Sequence, residues 1–565
     1  MTADNNKLAE LLFPHIHDIP NDIEKRYPVR ALPDTACVTR FAPSPTGFMH
    51  LGNLYSALVN ERIAHTTDGI FYLRIEDTDK KREVEGGREY IISCLANYNV
   101  LFDEGFLLEK EIGSYGPYIQ SKRVDIYQIY AKYLVSQGFA YPCFCTEEEL
   151  DYIRQEQEKQ GTKFLGYFGK WAKHRNFSLV QVKDELNKKR RFTLRFKAEP
   201  IGSINKWMDD IRGEISITEN EHDFVLLKSD GVPTYHFAHV IDDHLMGTTH
   251  VIRGEEWLPS LPIHLQLFQA FDWKIPHYAH ISPIMKIDIE THHKRKLSKR
   301  KDREAAVMFF EEQGYPNIAV IEYLMSVMNS DFDEWRLRNQ NSTYDDFPFN
   351  IKNMCVSGAI FDIKKLKAVS RNVISKLDAN SVYQEVTHWA KTYDYDFYKI
   401  LTGDEDYSKR ILDIAYKNAE KPRKDFALWS EVKSTYSYFF DELFNITLCY
   451  PEKINRKVAA DILRKYCDIF STEDDATVWF EKMKHFVQAT GFALTKVEYD
   501  QSPDIFLGTI ADAISLLRYA TTGQYTSPDM FYVLNTLGEH RVKRRCSYLA
   551  EFLENFCSLT FGCIN

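Results

Sequence analysis

Two polar constellations far apart in the chain carry residue types suited to phosphate chemistry. In the first, Pro43-Ser44-Pro45-Thr46-Gly47 stands just before His50-Leu51-Gly52-Asn53. The prolines cannot continue a strand ladder or a helix, and Leu51, Leu54 and Leu58 then fall at helical spacing, so a helix opens near Gly52. Backbone amides and His50 are thereby set at a helix N-terminus, where partial positive charge suits phosphate and an ATP pocket could form. A His-x-Gly taken alone more often caps a turn or packs. The second constellation is Lys294-Arg295-Lys296-Leu297-Ser298-Lys299-Arg300-Lys301. Such a loop can fold over a triphosphate and neutralise charge that builds on a departing diphosphate. By itself, an octamer so rich in Lys and Arg is more often a solvated face, a localisation signal or a nonspecific RNA patch.

The elements that must position these groups follow from the pattern around them. Residues 36–41 read as a strand, the proline segment as a special loop, the stretch from Gly52 as a helix and 70–75 as a second strand. Strand, loop, helix, strand is the order a parallel-sheet nucleotide fold requires, because the crossover helix lies between two parallel strands. From about Thr146 to Asn220 the pattern becomes a charged helical run over 147–160, mixed polar segments and a strand over 191–196, which reads as an insertion. Strands over 223–228 and 250–253, the first followed by a Ser229-Asp230-Gly231 turn, resume the sheet. Beyond about Ser357, segments such as 458–467 and 510–517 are helical in pattern, and the last third is expected to be all-helical. The first 35 residues, with Pro14, Pro20, Pro28 and Pro33, read as an irregular extension holding at most one short helix.

Composition narrows the class. A chain of 565 residues exceeds one compact core, and its 44% hydrophobic and 27% charged residues are those of a globular protein. The net charge of −10 argues against wholesale nonspecific nucleic-acid binding while leaving room for a local basic stripe. The aromatic content, with 33 Tyr and 37 Phe, is read as packing. The N-terminus lacks the basic start and apolar run of a signal peptide, and no stretch is apolar enough to span a bilayer. Ten scattered cysteines in so long a chain suggest reduced thiols and a cytoplasmic location.

Arg40-Phe41-Ala42-Pro43-Ser44-Pro45-Thr46-Gly47-Phe48-Met49-His50-Leu51-Gly52-Asn53, then Leu73-Arg74-Ile75-Glu76-Asp77-Thr78-Asp79, then Lys296-Leu297-Ser298-Lys299-Arg300 resemble, in order, the motifs of bacterial-type glutamyl-tRNA synthetases, a class I family. His-Leu-Gly-Asn stands for the family's HIGH motif and Lys-Leu-Ser-Lys-Arg for its KMSKS motif. The resemblance runs on through Thr234-Tyr235-His236-Phe237-Ala238-His239-Val240-Ile241-Asp242-Asp243-His244 and Val251-Ile252-Arg253-Gly254-Glu255-Glu256-Trp257, and reaches the closing helices. It is weakest in the insertion and between about Asp331 and Leu428.

The resemblance implies an α/β fold. A Rossmann-type parallel-sheet catalytic domain is expected in two halves, 36–145 and 222–290, around an inserted tRNA acceptor-binding domain over 146–221. The KMSKS loop and stem-contact domain would follow over 291–370, and an all-helical anticodon-binding region over 371–565; residues 1–35 form the extension. It implies ligation of L-glutamate to tRNA(Glu) through an enzyme-bound glutamyl-adenylate, with His50 and Lys299 catalytic. Pro43, His50, Gly52, Asn53, Lys296, Ser298, Lys299 and Arg300 would bind ATP, which brings Mg²⁺ held mainly by phosphate oxygens and water. Arg40, Ala42, Ser44, Glu76, Tyr235 and Arg253 would bind glutamate, the arginines because their planar fork grips both carboxylate oxygens. The competing role for Arg40 and Glu76 is a buried structural ion pair. Asp77 and Asp79 are assigned to structural hydrogen bonds, and His239, Asp242, Asp243 and His244 to the pocket wall or its backing.

Some members of the family hold zinc through a Cys-x-Cys pair and a further cysteine. Here Cys143-Phe144-Cys145 is followed by Trp171 where that cysteine is expected, with His174 as a nearby donor. Tetrahedral zinc needs four ligands, so no metal is expected and the cysteines are read as packing residues. No membrane partner and a monomer are expected. The alternatives are a nondiscriminating enzyme that also charges tRNA(Gln) with glutamate, a glutamyl-queuosine-type enzyme, against which the long helical third argues, and an inactive tRNA-binding paralogue, against which His50, Gly52 and Lys299 argue.

Overall fold

A computed structural model describes residues 2–45, 47–79, 83–107, 110–162, 165–199, 206–298, 300–417, 422–446 and 454–555. The chain forms two compact units, Met1–Phe309 with Ile321–Asp362, and Phe310–Val320 with Ile363–Asn565.

In the first unit, strand Val38–Phe41 pairs in parallel with Ile70–Leu73, which pairs in parallel with Glu104–Leu107; Lys110–Ile112 closes that edge antiparallel. The first two strands are buried along nearly their whole length, Ile70–Leu73 as a continuous apolar run and Val38–Phe41 with Thr39 and Arg40 among its buried residues. Helix Leu51–His65 makes the crossover and buries Leu54, Ala57 and Leu58. A second parallel pair, His250–Gly254 with His277–Ile281, lies beside the first strand, tied by the Thr249 amide donating to the Val38 carbonyl at 3.0 Å. The mixed α/β fold with a parallel sheet expected from the sequence is therefore present.

The segment between the sheet halves contributes helix Glu147–Lys159, capped by a Thr146/Glu149 box, and strand Thr193–Phe196 between Ala140–Cys143 and Val225–Leu227, both antiparallel to it. A hairpin, Lys206–Asp209 with Gly213–Ser216, follows. Another, Met285–Ile287 with Lys294–Lys296, leads into the basic loop.

The first residues are more ordered than the prolines suggested. Helices Thr2–Leu12 and Pro20–Glu24 form there, because Pro14 lies after the first helix and Pro20 opens the second, a position where a missing amide costs nothing. Ala9, Leu12, Phe13 and Ile16 are buried with Tyr130, Ala131 and Leu134. Arg30 grips Glu104 with two bonds of 2.8 Å and lies over the Tyr115 ring.

In the second unit the described residues are helical, including Ala379–Tyr393, Arg456–Ile469, Ile510–Thr522 and Met530–Asn555, the last kinked at Gly538. Their apolar faces share one core. Arg545 is buried within it, donating to the carbonyls of Tyr438 at 2.6 Å and Thr521 at 2.7 Å and to Asp441 at 3.0 Å.

Candidate active site

The C-terminal ends of strands Val38–Phe41 and His250–Gly254 open into a cleft of about 590 Å³, where an open parallel sheet places its ligands. Eleven of the residues singled out in the sequence line it: Arg40, Ala42, Pro43, Ser44, His50, Gly52, Asn53, Glu76, Tyr235, Arg253 and Lys296. Ser298 and Arg300 are not among its lining, and Lys299 lies outside the described residues.

His50 caps the crossover helix: its Nδ1 accepts the Gly52 amide at 2.9 Å. A Cβ at Gly52 would lie 3.1 Å from that same Nδ1, so a side chain there would press on the capping ring. The Asn53 and Leu54 amides turn back to the His50 carbonyl at 2.8 and 3.2 Å. The cap and the anion-suited helix end are the same few atoms.

On the other side of the cleft, Arg40 and Arg253 have different surroundings. Arg40 Nε donates to both oxygens of Asp243 at 3.2 Å. Arg74, fully buried, donates to Asp243 at 2.6 Å and to Glu76 Oε1 at 3.0 Å. Burial would raise the Asp243 carboxyl, yet Arg40 and Arg74 pull it below the ordinary range. Glu76 goes the other way: burial raises it despite Arg74. Behind them Asp242 accepts from Arg123 at 2.7 Å, Gln120 at 2.8 Å and Tyr127 at 2.9 Å. Asp242 and Asp243 thus back the pocket as expected. His244 does not: it pairs with Glu24 at 3.1 Å and stacks on Trp273, because its place on helix Tyr235–Leu245 faces the N-terminal extension. Asp77 accepts the Ser121 amide at 2.8 Å and hydroxyl at 2.7 Å, a structural role.

Arg253 is 5% exposed and, among the described residues, forms no ion pair. Its Nε donates to His280 Nε2 at 3.0 Å, an Nη meets His264 Nδ1 at 3.0 Å and the other donates to the Trp257 carbonyl at 3.3 Å. His280 Nδ1 is fixed by Asp209 at 2.7 Å. Burial, with the Arg253 charge acting in the same direction, holds His264 and His280 below the ordinary histidine range, so both rings are neutral and can accept. Burial likewise takes His236, 3.1 Å from His264, down to about 4. Tyr235 packs its ring 4.4 Å from Trp257 over this group. None of Asp209, His264 or His280 stood out in the sequence, since each is a single residue far in sequence from the arginine it serves.

The base of the basic loop is fixed by a residue the sequence reading also passed over. Asp302 accepts from Arg295 at 2.6 and 2.9 Å, from Lys286 at 3.0 Å and from the Ser298 amide at 2.9 Å. Arg295 above all holds the Asp302 carboxyl far below its usual range. Arg295 is thus a tether of the loop, whereas Lys296 reaches across to Glu256 at 3.7 Å.

In the insertion, the cysteine pair has more company than its sequence neighbours disclosed. His174 Nδ1 lies 3.6 Å from Cys143 Sγ, 3.5 Å from Cys145 Sγ and 3.2 Å from the Tyr167 hydroxyl. The Cys145 thiol beside it holds Cys143 well below the ordinary thiol range, and the same contact pushes Cys145 up. Cys143, Cys145 and His174 bring one ligand atom each within 4.8 Å of one another, three of the four donors that a tetrahedral Zn²⁺ takes, with the Tyr167 hydroxyl beside them.

Residues 36–368 match the family model of the catalytic domain of class I tRNA synthetases for glutamate and glutamine. The chain belongs to this family. It is 46% identical over 548 residues to the glutamate–tRNA ligase of Acetivibrio thermocellus, covering 97% of this chain and 100% of that protein. It is 43% identical over 546 residues to that of Clostridium perfringens, covering 95% and 98%. A crystal structure of a glutamate tRNA ligase from Elizabethkingia meningosepticum, in complex with its amino acid, superposes with a TM-score of 0.74 at 28% identity, over 92% of this chain and 99% of that one. No described helix is long and apolar enough to cross a membrane. ATP with Mg²⁺ is general to this family of synthetases.

Proposed function

We propose that the protein ligates L-glutamate to tRNA(Glu) in the cytoplasm, first joining the α-carboxylate to the α-phosphate of ATP with loss of diphosphate, then passing the acyl group to the terminal ribose of the tRNA with release of AMP. The observation that carries this reading is Arg253: a buried guanidinium in the cleft, held by neutral acceptors and lacking a carboxylate of its own among the described residues. The side-chain carboxylate of glutamate supplies the missing countercharge, which the neutral side-chain amide of glutamine cannot. Arg40, already paired with Asp243, shapes the site and adds positive potential. Glu76 faces the amino group, with Ala42, Ser44 and Tyr235 around it.

His50, Gly52, Asn53 and Pro43 receive the nucleotide at the helix end, and Lys296, Ser298, Lys299 and Arg300 stabilise the charge that grows on the leaving diphosphate. Mg²⁺ bound with ATP supplies further neutralisation of the phosphates. The segment over 146–221 meets the acceptor end of the tRNA and 371–565 its anticodon, and the protein acts as a monomer. Cys143, Cys145, Tyr167 and His174 would hold zinc as a brace of the insertion, in place of the metal-free reading that Trp171 suggested; the purified protein is expected to carry one zinc equivalent more than Cys143→Ser, and equal zinc in the two restores the packing role.

The test is aminoacylation of purified glutamate and glutamine tRNAs with labelled glutamate and glutamine. Glutamate on tRNA(Glu) is expected, with Lys299→Ala lowering the rate of adenylate formation and Arg253→Ala raising the glutamate requirement. Unchanged charging by both variants would overturn these roles, and glutamate on tRNA(Gln) as well would make the enzyme nondiscriminating.

A further inference from the structure

At the opposite ends of the strands that carry Arg253 and its partner His280 lies a second group of ligating side chains that the reaction does not use. His250 and His277 open the parallel strands His250–Gly254 and His277–Ile281 and are register partners, so their rings stack with centroids 4.7 Å apart. Asp210 faces them from the turn between strands Lys206–Asp209 and Gly213–Ser216, its Oδ1 3.6 Å from His277 Nδ1. One ligand atom from each of Asp210, His250 and His277 lies within 4.8 Å of the others. Cys37, 8% exposed beneath them, brings its Sγ to 3.9 Å from His250 Nε2.

We propose that Asp210, His250 and His277 form a site for a divalent zinc-type cation, with the Cys37 thiol, beside His250 but outside the present cluster of three, drawn in as fourth ligand on binding.

Each donor is mounted on backbone that is already fixed. The Asp210 amide donates to the Tyr278 carbonyl at 3.0 Å, the His277 amide to the Thr249 carbonyl at 2.9 Å, and the Cys37 amide to Thr67 Oγ1 at 2.9 Å. The turn carrying Asp210 is held from the other side by Asp209, which accepts the Ile211 and Arg212 amides at 3.0 and 2.9 Å. The ring of His250 is oriented too. Thr249 Oγ1 accepts the Val38 amide at 2.8 Å and lies 2.9 Å from His250 Nδ1. With Nδ1–H donating to that hydroxyl, the lone pair sits on Nε2, on the side of Cys37. This is the outer hydrogen bond that metal-binding histidines characteristically make.

The donor set of two imidazoles, a carboxylate and a thiol suits zinc and other nitrogen-preferring first-row ions, and not Mg²⁺ or Ca²⁺. A tetrahedral ion with bonds of about 2.1 Å needs donors about 3.4 Å apart, so the His250 and His277 rings, now stacked at 14°, must turn out of the stack for both to point at the ion. Bound there, the ion would tie the turn at Asp210 and the first sheet strand to the two strands whose far ends carry Arg253 and His280.

The test uses the full-length protein with Cys143→Ser and Cys145→Ser, so that the insertion does not contribute. After chelator treatment it is loaded with ZnCl₂, passed through gel filtration and assayed for zinc by mass spectrometry. One retained equivalent is expected, with a rise in Tm on loading, and both are lost in His277→Ala and Asp210→Asn. His277 is exposed, so its loss does not unfold the protein. Substitution with Co²⁺ should give the intense visible bands of a tetrahedral ion, with thiolate charge transfer that disappears in Cys37→Ser. No retained zinc, or an equivalent that persists in His277→Ala, would overturn the site; a cobalt spectrum without thiolate character would remove Cys37 from it.

Discussion

Arg40 and Arg253 stand near the ends of neighbouring strands, line one cleft and are almost equally buried, at 4% and 5% exposure, but their surroundings differ in charge. Arg40 shares Asp243 with Arg74, so its charge is answered inside the protein. Around Arg253 the acceptors are His280, His264 and a backbone carbonyl, all neutral. Removing one partner of a buried ion pair strands the other, whereas removing a cation held by neutral groups strands none. The first arginine should therefore matter chiefly to folding and the second chiefly to substrate.

The largest expected effect follows from breaking the compensated member. Arg40→Met takes one of two cations from Asp243, leaving Arg74 with the Thr248 hydroxyl and His239, and should destabilise the protein by about 3 kcal/mol in chemical denaturation. Adding Asp243→Leu should recover part of that loss, limited by the claim of Arg74 on the same carboxylate. A single variant as stable as the parent would erase the distinction drawn here. Arg253→Met sharpens it from the other side: stability within about 1 kcal/mol of the parent, but a KM for glutamate raised by about a hundredfold, the worth of a charge-assisted bidentate contact near 3 kcal/mol. A change in Tm with no change in KM would reverse the assignment.

Two smaller effects probe parts of the molecule outside this contrast. Asp302→Asn loosens the base of the lysine loop without touching either arginine, and should slow adenylate formation by roughly tenfold, as one hydrogen bond to a charged group is worth, while leaving the KM for glutamate unchanged. His65 sits between Asp103 at 3.1 Å and Glu61 at 2.9 Å, and these hydrogen bonds raise it from 6.5 to about 9. Because the folded-state value is the higher one, its contribution is complete below pH 6.5 and is lost as pH rises through about 9. Urea midpoints measured across that window should fall less steeply for His65→Gln than for the parent.

Much of the site was legible because its key residues cluster in sequence. His50, Gly52 and Asn53 belong to one turn, and the proline run before them leaves few choices of backbone. The strand Ile70–Leu73 was legible for the same local reason, being a continuous apolar run. The extension was misjudged because prolines were counted without asking whether they fell inside or between apolar repeats, and His244 was placed at the pocket although its helix carries it toward Glu24. In the insertion, a search for a third cysteine at a fixed spacing could not show His174 turning back onto both sulfurs.

The sequence by itself determined the family, the order of strand, loop and crossover helix, and most of the residues that line the cleft, since motif spacing and hydrophobic period are properties of neighbouring residues. Only the tertiary structure decided which arginine is already neutralised, which histidines are neutral acceptors, and that Asp302 anchors the loop. Those depend on burial and on charges brought together from distant segments, and electrostatic interactions act through space, not along the chain.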